Sequence, residues 1–436
     1  MTTTYFLLSL FGAWLTFNLY KPFIERPRLS ILSFMFGWLG GELVYFVFTV
    51  QLLGTLLFVA AGAVNGFFGA LGLLLTIASW VGMALYLQRA MHTDEEIESA
   101  LQTTLGADYQ QSIKPELLAQ VPTELDYSRL VRPFSLHLPQ VECIKDVIYY
   151  EENGVKLGLD IYCKRTRPEN APVLFQIHGG GWTEKMGSKD HQALPLMNQL
   201  AAMGWVCVAV SYRLSPTFAF PTHIIDCKRG LAWTKEHINE YGGNPEFIVA
   251  TGGSAGGHLS SLLALTANLP DFQPDFEDVD TSVKACVPFY GVFDFSDENQ
   301  LQNHSSVREY LEEAVMQLPL SDTEAYRKAS PLHHLHKDAP PFFVIHGTCD
   351  SLTSFKEGEH FAAELSKVSS QPVVFAPLGL AQHAFDIFRS PRSEYVMFGV
   401  MRYVNYIYSL YLQQSKLAKP RVRKTRKVKQ DNLDAA

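Results

Sequence analysis

Charge is scarce at the start of this sequence, and paired cysteines are lacking throughout. Across the first ninety of its 436 residues the only charged side chains are Lys21, Glu25, Arg26, Arg28, Glu42 and Arg89. An uncharged stretch of that length has no place in a soluble domain. The six cysteines, Cys143, Cys163, Cys207, Cys227, Cys286 and Cys349, form no CxxC pair. Several sit inside apolar runs, so reduced, buried structural thiols are expected rather than an exported disulfide framework. A formal net charge of −8 supplies no general attraction to nucleic acid.

What is present is unevenly distributed. Residues 5–20 are apolar and end at Lys21, and a short, mostly basic stretch follows. Residues 29–87 then carry one charge, Glu42. That run is about three times the ~20 residues one spanning helix needs, which leaves room for two helices, about 31–50 and about 64–87. Residues 1–90 are therefore expected to hold three transmembrane helices. A cleavable signal peptide is the weaker reading of the first segment, which lacks a basic start and is followed by more apolar sequence. With three spans, Lys21, Arg26, Arg28 and Arg89 all fall on one side, which the positive-inside rule makes cytoplasmic. The expectation is a multi-pass membrane protein with its large C-terminal domain in the cytoplasm. A miscount by one helix would invert it. Glu42 is expected at mid-membrane depth, where a carboxylate is costly. It could meet Asn65 or Gln51, or be protonated or paired locally beside Gly40 and Gly41, and it is assigned no role.

Residues 91–133 read as a linker or as helices lying over the next domain, beginning with the solvated stretch at His92, Asp94, Glu95 and Glu96. From 134 to 412 a regular alternation follows. Residues 144–150 and 155–162 read as a hairpin. Short continuous apolar runs then recur at 173–177, 206–210, 247–250, 285–290, 342–345 and 373–376. Runs buried on both faces are what parallel strands look like. With helical patterns between them they predict a doubly wound α/β sheet, its reactive groups on loops at the strands' carboxyl ends. Residues 413–436 carry Lys416, Lys419, Arg421, Arg423, Lys424, Arg426, Lys427 and Lys429, with no acid between the first and last of these. This tail reads as disordered. At roughly 1 kcal/mol per charge it would be drawn to an anionic leaflet. It lacks the aromatic platform of a nucleic-acid binder.

The chemistry is concentrated in two glycine turns. Gly252-Gly253-Ser254-Ala255-Gly256 follows the run 247–250 and precedes an apolar helical pattern. A Gly-x-Ser-x-Gly there is a nucleophile elbow, in which flanking glycines leave room for a strained serine. The helix start adds free N–H groups beside a developing oxyanion. His178-Gly179-Gly180-Gly181-Trp182 follows the run 173–177. Consecutive glycines let backbone N–H groups converge on a concavity. The turn lacks both the Lys-Ser/Thr ending and the GxGxxG spacing of phosphate-binding turns.

Together with Tyr212-Arg213-Leu214-Ser215-Pro216 and Asp226, these motifs resemble the hormone-sensitive-lipase-like branch of the α/β-hydrolases, in particular a group of bacterial membrane-associated carboxylesterases. The resemblance covers about residues 140–410. It implies an oxyanion hole from the backbone N–H groups of Gly180, Gly181 and Ala255, with His178 bracing the loop. Chain order places an acid and then a histidine after the serine. Asp350, in His346-Gly347-Thr348-Cys349-Asp350, resembles the family's HGxxD acid motif, and His383 matches its late histidine. Ser254 would then be nucleophile, His383 general base and Asp350 its orienting acid.

Several residues compete with these. Asp386 is too close in sequence to His383 to be the obvious orienter, and His346 reads as a structural or loop residue. His333, His334 and His336 invite a metal reading, but no Cys, Asp or Glu stands at ligand spacing, so no metal or cofactor is expected. Trp182 could line an acyl pocket or simply pack. Residues 294–336 are expected to supply a lid, and 95–133 a second part of it. The activity expected is hydrolysis of a carboxylic ester or lipid, against acyl transfer or a non-catalytic scaffold on the same fold. Substrate chain length and oligomeric state are left open.

Overall fold

A computed structural model describes residues 1–418. Four apolar helices come first: α1 (Thr2–Tyr20), α2 (Pro27–Glu42), α3 (Val44–Ala60) and α4 (Gly66–Met91). They pack by an inverted rule. The buried positions of α1 include Ser9, Gly12, Thr16 and Asn18, and those of α4 include Gly69, Gly72, Thr76 and Ser79. Outward stand Leu7, Leu10, Phe11, Phe17, Leu74, Ile77 and Val81. Small residues bring the helix backbones together, and hydroxyls bond across the contact. Thr16 Oγ1 lies 2.7 Å from Ser79 Oγ, and Tyr20 OH donates to Gly82 O at 2.7 Å.

The sequence of contacts fixes the directions. Phe6 meets Phe68 at one end of α1, and Tyr20 meets Tyr86 at the other, so α1 and α4 run parallel. Tyr5 also meets Phe58, while Gln51 reaches Ser79, so α3 runs antiparallel to both. The expected single helix over 31–50 is broken: α2 and α3 meet at Leu43 with an 86° bend. Gly40 and Gly41 weaken the helix there. Glu42 is drawn sideways into the following domain, where it accepts from Ser390 Oγ at 2.5 Å and Arg392 Nε at 3.0 Å. Its partner is thus Arg392, not Asn65 or Gln51, and it lies at the seam with the following domain. Among the described residues one helical stretch, Gly66–Leu105, is long and apolar enough to cross a bilayer, and α2 with α3 qualifies only as a bent pair.

The second region is an eight-stranded sheet in the order β1-β2-β4-β3-β5-β6-β7-β8. β1 (Val141–Glu152) and β2 (Val155–Lys164) form the expected hairpin, turning on Asn153 and Gly154, both at positive φ, as a two-residue turn requires. β2 pairs antiparallel with β4 (Val206–Val210). All remaining pairings are parallel, through β3 (Ala171–Ile177), β5 (Gly243–Gly253), β6 (Ala285–Phe289), β7 (Phe342–Gly347) and β8 (Val373–Leu378). One face is covered by α5 (Thr93–Leu105), α6 (Leu194–Ala202) and α10 (Pro391–Ala418). The other is covered by α7 (Thr222–His237), α8 (Ala255–Leu265) and α9 (Phe355–Val368). From the region read as linker or lid, α5 buries Ile97 and Leu101 in this core. Helix α10 continues past residue 413 to Ala418, and the rest of the basic tail lies outside the described residues. All six cysteines are unpaired, and all but the half-buried Cys143 are buried.

Candidate active site

Five strand ends converge on one edge of the sheet. Ser254 stands between β5 and α8 with φ 59° and ψ −121°, a strained conformation costing about 1–3 kcal/mol. Neighbours hold it there: Ser254 N donates to Phe289 O and His258 N to Ser254 O, both at 3.0 Å. The turn is too tight for side chains beside the serine. A Cβ on Gly256 would lie 2.0 Å from Ile177 O, and one on Gly252 2.4 Å from Gly256 O. The N–H of Ala255 is at the open start of α8, where helix N–H groups lack internal partners.

The loop after β3 lies against the serine, since a Cβ on Gly179 would sit 3.1 Å from Ser254 Cβ. Gly180 and Gly181 take φ of 111° and 58°, the region that favours glycine. His178 is buried behind them, with Nδ1 2.8 Å from Gly179 O and its ring stacked on Tyr212 at 4.4 Å. Burial pushes its pKa down to about 4, so it is neutral at pH 7. Tyr212 OH donates to His178 O at 2.8 Å. Asp226 grips the next residue, accepting from Arg213 N, Nε and Nη2 at 2.7–3.0 Å. The Tyr212–Pro216 and Asp226 motifs thus brace the glycine loop.

Asp350 and His383 meet across the β7 and β8 loops, His383 Nδ1 lying 2.7 Å from Asp350 Oδ2. The other carboxylate oxygen, Oδ1, accepts from Leu352 N and Thr353 N at 2.8 and 2.9 Å. Burial pushes the Asp350 pKa up, but the His383 and His346 rings and their hydrogen bonds outweigh it, holding the group well below the usual carboxylate range. Asp386 is turned elsewhere and accepts the Tyr290 hydroxyl, while the Tyr290 ring packs on His383 at 4.4 Å. Among the described residues Ser254 Oγ makes no hydrogen bond, and His383 Nδ1 lies near Asp350 Oδ2 and Thr353 Oγ1.

Some residues around the site are not evident from the motifs. Gln382 ties the acid and base loops together, its Oε1 accepting from Ser351 N at 2.7 Å and His383 N at 2.9 Å. His346 Nε2 lies 3.4 Å from Asp350 Oδ2, beside the acid rather than apart from it. Within the expected lid, Tyr310 OH donates to Gly181 O, and Asn303 Nδ2 to Asp350 O at 3.4 Å. The second cover comes from helix α2, where Phe34 meets the His383 ring at 5.9 Å, edge to face. Trp182 is buried against His258 and Phe295, a packing position. His333, His334 and His336 each turn to a different partner: Ser296 Oγ, Lys328 O and Leu265 O.

A mostly parallel sheet with a serine on a strained strand-to-helix turn defines an α/β-hydrolase. A family model described as BD-FAE matches residues 159–365. The chain is 40% identical to the probable carboxylic ester hydrolase LipM of Mycobacterium tuberculosis over 409 residues, 90% of this chain and 91% of the relative. It is 37% identical to esterase LipQ of the same organism, over 73% of this chain and 76% of that one. Among solved structures, a truncated carbohydrate esterase from gut microbiota aligns with TM-score 0.50 at 18% identity, over 61% of this chain and 96% of its own. At that identity the likeness bears on the fold alone. The chain belongs to the hormone-sensitive-lipase-like carboxylesterases of the α/β-hydrolase class, and it is a carboxylesterase.

Proposed function

We propose that this carboxylesterase works through a Ser254-His383-Asp350 triad, anchored in a membrane with its catalytic domain on the cytoplasmic side. The observation that carries the chemistry is the 2.7 Å contact between His383 Nδ1 and Asp350 Oδ2 at the same sheet edge as the strained Ser254. His383 Nε2 takes the Ser254 proton as Oγ attacks the ester carbonyl. The carbonyl oxygen becomes an oxyanion and accepts from the backbone N–H groups of Gly180, Gly181 and Ala255. His383 then hands the proton to the departing alcohol, leaving an acyl group on Ser254 Oγ. A water, deprotonated by His383, attacks the acyl-enzyme and releases the acid. Asp350 stays ionised and holds the imidazole tautomer.

The anchor is supported by the inverted burial of α1, α3 and α4. In this reading α1, α3 and α4 each cross the membrane, with α2 lying across the end of the bundle. Lys21, Arg26, Arg28 and Arg89 then share the side of the catalytic domain, which favours a cytoplasmic placement. The basic residues after Gln413 would add contact with an anionic leaflet.

Two measurements test this reading. A fluorophosphonate should label the wild type and not Ser254→Ala, and persistent labelling of the variant would sink the nucleophile. A reporter fused after Gln413 should read as cytoplasmic, and an exported signal would overturn the orientation.

A further inference from the structure

Helix α2 has the composition of a membrane span, yet it lies along the mouth of the site. The Ser30 carbonyl accepts from Ser351 Oγ at 3.0 Å, one residue from Asp350. Phe34 meets His383 at 5.9 Å, and Trp38 packs on Phe388 at 5.4 Å. Glu42 closes the row on Ser390 and Arg392. Positions 30, 34, 38 and 42 are spaced by four, so they form one stripe along the helix.

One flank of the helix is open among the described residues, while Phe36 and Ser33 pack on α1. Ile31, Leu32, Met35 and Leu39 are 38–56% exposed, and no charge interrupts the helix between Arg28 and Glu42. The same open surface continues onto the catalytic domain. Tyr127, Val131 and Phe134 are 63–67% exposed, and Phe134 packs at 5.2 Å on the Phe388 that Trp38 also touches. A helix lying across the end of a bundle, with one side apolar and open, fits the boundary of a bilayer rather than water.

We infer that a bilayer-resident ester reaches Ser254 along α2, and that Phe34 walls the position of its leaving alcohol. This rests on the membrane-anchored serine esterase proposed above. The alcohol assignment follows from proton transfer. His383 must deliver its proton to the departing oxygen, so the alcohol lies against that imidazole, while the carbonyl oxygen points to the glycine loop. Among the described residues the Phe34 ring pairs with the His383 imidazole, edge to face at 5.9 Å, and with Trp38. The substrate class is therefore a carboxylic ester of a long-chain or otherwise lipid-soluble alcohol.

The test uses the full chain in vesicles of phosphatidylcholine and phosphatidylglycerol. Two ester series are compared: acetates of alcohols from butyl to hexadecyl, and ethyl esters of acids from butyrate to palmitate. The wild type should favour the longer acetates. Phe34→Ala should change the long-to-short ratio of kcat/KM in the alcohol series by about tenfold, the size a hydrophobic wall gives. The acyl series should keep its profile. Phe34→Leu should move the same ratio by less, and it covers the case in which the alanine variant does not fold. Met35→Ser with Leu39→Ser, on the open face, should lower the same ratio in vesicles and leave it unchanged in detergent micelles. A Phe34 effect on the acyl series alone, or on neither, overturns the assignment. So does a Met35/Leu39 variant with an unchanged ratio in vesicles. Fluorophosphonate labelling and vesicle flotation of the wild type separate the failures. A labelled, membrane-bound enzyme with an unaltered alcohol profile refutes the route along α2 alone, whereas loss of labelling or of flotation refutes the underlying reading.

Discussion

Strand β4 buries Val206, Cys207, Val208, Ala209 and Val210 without exception. Helix α1 hides Ser9, Gly12 and Thr16, and turns Leu7, Leu10 and Phe11 outward. The two regions belong to one chain and touch along a seam, yet each sorts its side chains by the opposite rule. In the sheet, removing apolar area from water is the driving term. Between α1 and α4 the contact is made instead by close backbone approach with a few hydroxyl contacts. The difference teaches that burial reads the solvent as much as the fold. A region that hides serine and displays phenylalanine is what the proposed lipid surroundings would favour.

The largest expected effect tests whether the chemistry sits wholly in the sheet region. Asp350→Asn should lower kcat by about 10⁴, because an amide at that position favours the wrong imidazole tautomer. Steady-state rates on a p-nitrophenyl ester check it, and a loss below tenfold would remove Asp350 from the proposed triad. The acid limb of stability supplies a second readout. The folded-state pKa of Asp350 is depressed, so its contribution is full above the unfolded value of about 3.9 and fades as pH falls through the folded one. Asp350→Asn should lack that loss.

The next effect addresses the seam itself. Glu42 and Arg392 are 2% and 0% exposed, so removing one partner leaves a buried charge uncompensated. Glu42→Ala should cost about 3–5 kcal/mol, and the double change Glu42→Leu with Arg392→Met should recover much of it. Thermal unfolding in detergent measures both. A near-neutral Glu42→Ala would mean that the two regions are stabilised independently and that α2 is not pinned by this pair.

The same contrast explains what the sequence could disclose. Strands β3, β4, β6 and β7 are legible as short apolar runs because both their faces are buried, while β1 and β2 are legible as a hairpin. The glycines of the serine turn are legible because a Cβ added at Gly252 or Gly256 would lie 2.0–2.4 Å from a backbone oxygen. Helix α2 is not. Gly40, Gly41 and an unbroken apolar run read alike for a span and for a helix lying over a site. Its one cue is Glu42, whose partner stands 350 residues away. Gln382 hides for a related reason: an amide next to the histidine has no motif, and only the folded loops give it two N–H groups to accept.

The smallest expected effect is the most direct comparison of the two interiors. Leu262 is fully buried among apolar neighbours, so Leu262→Ala should cost about 2–5 kcal/mol through lost transfer energy and the cavity left behind. Thr16 is also buried, with Oγ1 2.7 Å from Ser79 Oγ. In a soluble core, losing that contact and stranding its partner would cost about 1–3 kcal/mol. If lipid surrounds the helices, Thr16→Val should cost nearer ~0.6 kcal/mol, because in a membrane the unfolded helices also find partners for their hydroxyls. Unfolding in mixed micelles, followed separately by a probe on α10 and one on α4, gives both values. A Thr16→Val penalty as large as that of Leu262→Ala would mean that the helical region is held together as a water-soluble core, and the inverted pattern would then need another cause.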